Sequence, residues 1–298
     1  MSIARPLQAC LALCLVVAPL RAERIQVGGG ALDVTIRGDA ALGSRALVDW
    51  IRGAATAVTA YFGKFPLAEL EVSVVVDGRS GPHGGVTNGW PAPNIRVRVG
   101  RDTGASELAR DWVMVHEMCH TAFPNVDPEH QRWAEEGLST YVEPLARHRA
   151  GQYSREQLWL DLARGLPQGL PAAGDRGLDN TPTWGRTYWG GALFWLLADV
   201  GIREKTAGRL GLEDALRGIL AAGGDIRVDW PLDRALAVGD RAVGVSVLVP
   251  LHREMGASAT PVDLGALWGR LGVRVTDRVV TFDDTAPQAN LRRAIEGN

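Results

Sequence analysis

The sequence predicts an α+β chain with two lobes, a small mixed β-sheet backed by helices and then a mainly α-helical lobe. Three observations carry this. The clear β-branched runs, Leu70 to Val76 and Asn94 to Val99, lie in the first third of the 298 residues. Helical periodicity dominates after about residue 124. Between the two lies an apolar, helix-patterned stretch, Val113 to Ala122, enclosing His116-Glu117-Met118-Cys119-His120. The expected division is an upper α/β lobe over 23–123 and a lower, mainly helical lobe over 124–298.

The elements follow in order. Ile25 to Gly38 reads as a strand or hairpin with Gly28-Gly29-Gly30 as its turn. Ser44 to Phe62 repeats apolar residues at helical spacing through Leu47, Trp50, Ile51, Ala54, Val58 and Tyr61. Gly81 to Trp90, with five Gly or Pro residues before its Trp, reads as turn and loop. Its Gly84, Gly85, Val86 and Thr87 are candidates for a cleft rim and an edge strand that pairs with a peptide, with a plain surface loop as the alternative. Pro124 ends the preceding helix near Phe123. Asp127 then reads as an N-cap with Pro128 at the first helical position. Arg155 to Leu162, Tyr188 to Val200, Leu212 to Leu220 and Asp263 to Leu271 carry helical signals, Val273 to Phe282 strand signals, and Pro287 to Ile295 a closing helix.

The chemistry is concentrated in the H-E-x-x-H pattern. His116 and His120, at i and i+4, lie one turn apart on the same helix face, which lets two imidazoles bind one Zn²⁺. Glu117 is adjacent, where it can take a proton from a water activated by the metal. Downstream, Trp133-Ala134-Glu135-Glu136-Gly137 offers Glu136 as a third ligand on the next helix. Gly137 costs about 1 kcal/mol in a helix interior relative to Ala, so a close approach to the metal helix or to substrate is expected there. Glu135 and Thr140 are candidates to hold the metal-ligating groups, since such histidines give their other N–H to a carboxylate or carbonyl. Two imidazoles and a carboxylate also suit Co²⁺ or Mn²⁺. Without a metal, the same residues would be a satisfied core network.

Composition narrows the function classes. Hydrophobic residues make up 46% and charged residues 22%, and the net charge is −2, so no basic excess points to nucleic acid. Residues 1–22 read as a secretory signal, with Arg5 in a positive n-region, Ala9 to Ala18 as the apolar run and Leu20-Arg21-Ala22 before cleavage. The run is too short for a membrane span, and export to the periplasm or the medium is the expectation. Cleavage would remove Arg5 and Arg21 and no acids, taking the charge from −2 to −4. Of three Cys, two lie in this leader, leaving Cys119 without an intramolecular partner. Ten Trp, among them Trp90, Trp133, Trp184 and Trp189, are candidates for pocket walls or core.

Three segments together resemble the gluzincin metallopeptidases, and most closely the catalytic part of the glycyl aminopeptidase family. They are His116 to His120, Trp133 to Tyr141, and Tyr188-Trp189-Gly190-Gly191-Ala192 running into Asp199 and Gly201-Ile202-Arg203. The ending Thr281 to Pro287 is also similar, so the likeness covers about 80–296. The resemblance implies a zincin-like fold and a zinc peptidase acting on a peptide or protein substrate. His116, His120 and Glu136 would bind zinc, Glu117 would be the general base, and Tyr188 would donate to the tetrahedral oxyanion. The chain departs from the pattern in three ways. It lacks room for the family's extra domains, its His120-to-Glu136 interval is short, and it has no Gly-x-Met-Glu-Asn segment of the kind the related aminopeptidase-N family uses to hold a free amine. Amino-terminal trimming and internal cleavage therefore both stay open. A peptide-binding zincin fold without catalysis and a zinc hydrolase of a non-peptide substrate are the alternatives.

Overall fold

The computed structural model describes residues 20–297. The expected leader lies outside them, except that 20–22 open the first strand. Strands β1 (Leu20–Val27) and β2 (Gly30–Arg37) form an antiparallel hairpin. Its two turn residues, Gly28 and Gly29, have φ of 58° and 85°, the left-handed backbone that a two-residue hairpin turn demands. Strands β3 (Glu69–Asp77) and β5 (Asn94–Gly100) extend the sheet in parallel, and β4 (Pro82–Asn88) runs antiparallel to β5, giving the order β1-β2-β3-β5-β4. One sheet face is apolar: Leu32, Val34 and Ile36 on β2, Leu70, Val72 and Val74 on β3, and Ile95, Val97 and Val99 on β5 are all buried. Helix α1 (Gly43–Phe62) turns Leu47, Ile51, Ala54, Val58 and Tyr61 into the same core.

β4 decides between the two readings of this segment, in favour of the edge strand and against the plain loop. Pro82–Asn88 is an edge strand, with a register shift between His83 and Val86. Its glycines left both readings open, because Gly depresses strand propensity and here answers to a neighbour instead. Each strand of the sheet but β1 and β4 has two partners, so β4 leaves one row of backbone groups free.

After the short α2 (Ala105–Arg110), α3 (Val113–His120) packs against β4 and α1, and all its residues but His120 are buried. α4 (Arg132–Arg149) lies across α3 and α1. The expected cap is corrected: α3 ends at His120 and α4 begins at Arg132. Asp127 instead closes a turn, accepting from Glu129 N through Oδ1 at 2.9 Å and from Gln131 N through its carbonyl at 2.8 Å. A π-helical turn, Arg186–Gly190, leads into α6 (Gly191–Lys205), which packs along α4. The reason for Gly137 lies there and not at the metal helix or substrate. A Cβ on Gly137 would sit 2.3 Å from Gly191 Cα, and one on Gly191 would sit 2.2 Å from Trp133 O. The two helices meet backbone to backbone.

The rest is mainly helical: α5 (Arg155–Gly165), α7 (Leu212–Ala221), α8 (Leu232–Val243), α9 (Leu248–Met255), α10 (Leu264–Leu271) and α11 (Ala289–Glu296), with one hairpin, β6 (Val273–Thr276) and β7 (Val279–Phe282). The segments of α2, α8 and α9 had drawn no helical reading. An ionic cluster joins α4, α6 and α7. Asp199 accepts from Tyr141 Oη, Arg203 Nε and Leu212 N, and Arg203 also grips both oxygens of Glu213. No helix among the described residues is long and apolar enough to cross a membrane.

Candidate metal centre

The centre begins with how α3 is held. Asp111, just before the helix, accepts from Val113 N at 3.0 Å and Met114 N at 3.1 Å, covering two otherwise free N–H groups. Trp50 Nε1 from α1 donates to the same carboxylate at 3.1 Å. This fixes the rotation of a helix of only eight residues. His116 and His120 then face α4.

Glu136 meets them. Its Oε2 lies 3.1 Å from His116 Nε2 and 3.6 Å from His120 Nε2. One donor atom from each of the three residues lies within 4.8 Å of the others. The set suits a tetrahedral divalent ion with one position left for water or substrate, and Zn²⁺ prefers such nitrogen and oxygen donors. All three side chains are at most 14% exposed. Burial alone would raise the Glu136 carboxyl, but hydrogen bonds from His116 and His120 outweigh it and hold the group well below the usual carboxylate range. Burial depresses His116, whereas Glu136 overcomes burial to raise His120. Cys119 stays out of the set as a buried thiol whose pKa burial pushes well up.

Sequence reading missed Arg132. It grips the other Glu136 oxygen, Oε1, through NH2 at 3.0 Å and Nε at 3.3 Å. The fork leaves Oε2 for the metal side, and the readable signal was the i, i+4 spacing on one helix. Glu135 does not hold a histidine. Its Oε1 accepts from Val126 N at 2.7 Å and ties the α3–α4 connection to α4. Thr140 donates to the Glu136 carbonyl at 2.7 Å, an internal bond of α4, and reaches neither histidine.

Glu117 is buried and packs against β4. Thr87 Oγ1 lies 2.6 Å from Glu117 Oε2 and 3.0 Å from the Glu117 carbonyl oxygen. A Cβ on Gly85 would fall 2.4 Å from Glu117 Cγ and Oε1, so only glycine lets the carboxylate lie on this strand. Gly84 has φ of 59°, and Val86 is exposed. The Thr87 hydroxyl is turned to Glu117.

Tyr188 sits in the π-helical turn, its ring stacked 6.3 Å from that of His116 at an interplanar angle of 29°. Burial, then the charge of Glu136, pushes its phenol above the ordinary value, which keeps it a proton donor. Trp184 lies against its other side at 5.8 Å.

No family model matches the chain, and no curated relative matches it either. Solved structures do. An aminopeptidase N family protein from Idiomarina loihiensis aligns over 86% of this chain and 50% of its own, with a TM-score of 0.63 at 15% identity. A variant of an M1 zinc metallopeptidase from Deinococcus radiodurans aligns over 83% and 53%, with a TM-score of 0.55 at 17% identity. A further structure of that enzyme, bound to a Tyr-Ser-Ala substrate, aligns over the same shares, with a TM-score of 0.55 at 15% identity. The α+β fold is thus that of M1 zinc metallopeptidases. The chain spans about half the length of the solved structures it matches.

Proposed function

We propose that this chain is an exported, zinc-dependent peptidase. The observation that carries this reading is the convergence of His116 Nε2, His120 Nε2 and Glu136 Oε2 within 4.8 Å, with Glu117 buried beside them. The fold likeness to zinc metallopeptidases supports it. A bound Zn²⁺ would supply Lewis acidity, polarising a carbonyl and making water acidic near neutral pH. Glu117 takes a proton from the attacking water as the new C–O bond forms, then delivers it to the leaving nitrogen, and the peptide C–N bond breaks as the tetrahedral species collapses to a carboxylic acid and an amine. Thr87 and Gly85 keep the Glu117 carboxylate in one orientation, so Thr87 is a positioning residue. The Tyr188 hydroxyl donates to the oxygen on which charge develops. The free edge of β4 offers backbone groups to an extended peptide.

β4 holds neither Asp nor Glu, so it brings no carboxylate to a substrate amine. Cleavage therefore should not require a free amino terminus. The test is mass-spectrometric cleavage profiling of peptides with free and acetylated amino ends, beside Glu117→Gln. The expected result is cutting by wild type alone, of both kinds of peptide, with zinc content unchanged in the variant. Equal cutting by the variant would overturn the role of Glu117. Cutting of free-amine peptides alone would overturn the reading of β4, and an inert, zinc-loaded wild type would overturn the peptidase reading.

A further inference from the structure

A cavity of about 460 Å³ opens beside His116 and is lined by no residue of β4. Its mouth is aromatic: Trp112 is 53% and Trp184 is 62% exposed, and the Tyr188 ring lies between Trp184 and His116. Its deep end is polar and includes Glu143 of α4, seven residues beyond Glu136. Glu143 is 8% exposed. Only one of its oxygens is occupied: Oε1 accepts from Arg147 NH1 at 2.9 Å, and Oε2 has no partner among the described residues. Arg147 is turned elsewhere as well, donating to the Ala109 carbonyl at 3.2 Å and lying 4.3 Å over the Tyr153 ring. Asp161, also in the lining, is engaged by Tyr153 Oη and by Gln157 Nε2.

Resting on the peptidase reading above, we propose that this cavity is a subsite for a cationic nitrogen group of the substrate, entering between Trp112 and Trp184 and ending on the free oxygen of Glu143. The physical case has three parts. The faces of indole and phenol rings attract ammonium and guanidinium groups and not hydrated anions. The deep lining holds two carboxylates, Glu143 and Asp161, against one guanidinium, Arg147; Arg110 is also in the lining but exposed at the rim. A neutral apolar side chain would fill the walls but bury the Glu143 oxygen unpaired, the arrangement that discriminates most strongly against a wrong substrate. Burial raises the Glu143 carboxyl to about 7 despite Arg147, so an arriving cation also favours its ionised form near neutral pH. The cation comes from a Lys or Arg side chain near the scissile bond.

Binding tests this without relying on turnover. Zinc-loaded Glu117→Gln protein would be titrated calorimetrically with three peptides of one sequence: acetylated with Lys, acetylated with norleucine, and free-amine with norleucine. The expected result is that the acetylated Lys peptide binds about tenfold or more tighter than acetylated norleucine. The free-amine norleucine peptide leading instead would overturn the side-chain assignment. Adding Glu143→Gln should reduce the ratio toward one. Equal binding of all three, or binding of none, overturns the subsite. If that variant fails to fold, Trp184→Ala at the exposed mouth should narrow the same ratio, and an unchanged ratio counts against the proposal. An inert wild type with a preserved charge preference would sink the peptidase reading and leave the subsite standing.

Discussion

Two buried ionic clusters sit on α4, one built around Glu136 and one around Asp199. Both gather a carboxylate, an arginine and other polar side chains, with the members other than Arg132 little exposed. They differ in their supply of protons. Every lone pair of Asp199 that is used faces a donor: the Tyr141 hydroxyl, the Arg203 guanidinium and the Leu212 amide. That cluster closes on itself. Around Glu136, Arg132 occupies one oxygen, while the other faces two imidazole nitrogens that can each be a bare acceptor. With both imidazoles deprotonated toward it, that centre presents three lone pairs, which suits a cation. The comparison teaches that the balance of donors and acceptors, and not burial or charge count, separates a scaffold cluster from a candidate metal centre.

The comparison can be broken most severely at Asp199. Asp199→Ala leaves Arg203 buried beside Glu213 alone, and denaturant unfolding should register a loss of about 3–5 kcal/mol, with zinc stoichiometry of the folded fraction intact. Lost zinc binding at native stability would contradict the division. Glu136→Ala should do the reverse. Zinc affinity by competition with a chelator should fall by more than the roughly 10–100-fold typical of outer partners, with a smaller stability change in the metal-free protein. Arg132→Ala should fall within that roughly 10–100-fold range, because it orients Glu136 without touching the metal. Its own exposure predicts a stability change of about 0.5 kcal/mol or less.

The smallest effect concerns a third polar group near the start of α4. His252 contacts Asp179 at 3.0 Å and Asp233 at 3.1 Å, and Asp179 also accepts from Trp133 Nε1 at 2.8 Å. Burial alone would lower His252, but the two carboxylates raise it above 6.5. A raised folded-state value means that protonation favours the fold. The stabilisation is complete below about pH 6.5 and is lost as pH rises through the folded value. Thermal midpoints of wild type and His252→Gln should therefore differ by an amount corresponding to about 1 kcal/mol in mild acid and converge above neutrality. A gap that widens with pH would refute the sign.

Much of this was legible in the sequence, because it is local. The Gly28-Gly29 hairpin, the α1 stripe and the i, i+4 histidines each follow from chain geometry over a few residues. The π-helical turn that carries Tyr188 was read as ordinary helix, since a wider turn leaves no mark on periodicity. β4 was open between edge strand and loop because Gly85 serves the carboxylate of Glu117, thirty-two residues away, and not its own strand. Glu135 was assigned to a histidine because adjacency to Glu136 suggested it. On a helix, adjacent residues point about 100° apart, and the Val126 amide is what lies in that direction. The start of α4 was misplaced because an Asp-Pro pair can begin a free-standing turn as readily as a helix.

The touching backbones of Gly137 and Gly191 act as a gauge block for the cleft. Gly137 directly follows the third metal-binding candidate, and Gly191 comes three residues after the proposed oxyanion donor. The clearance between those two groups is machined by the radius of two α-carbons, with no adjustable side chain in the joint. One methyl group there would act as a shim, lifting Tyr188 away from Glu136 by a distance no rotamer change could take up. A protein engineer wishing to resize this cleft would find the adjustment screw at Gly137, out of reach of the substrate.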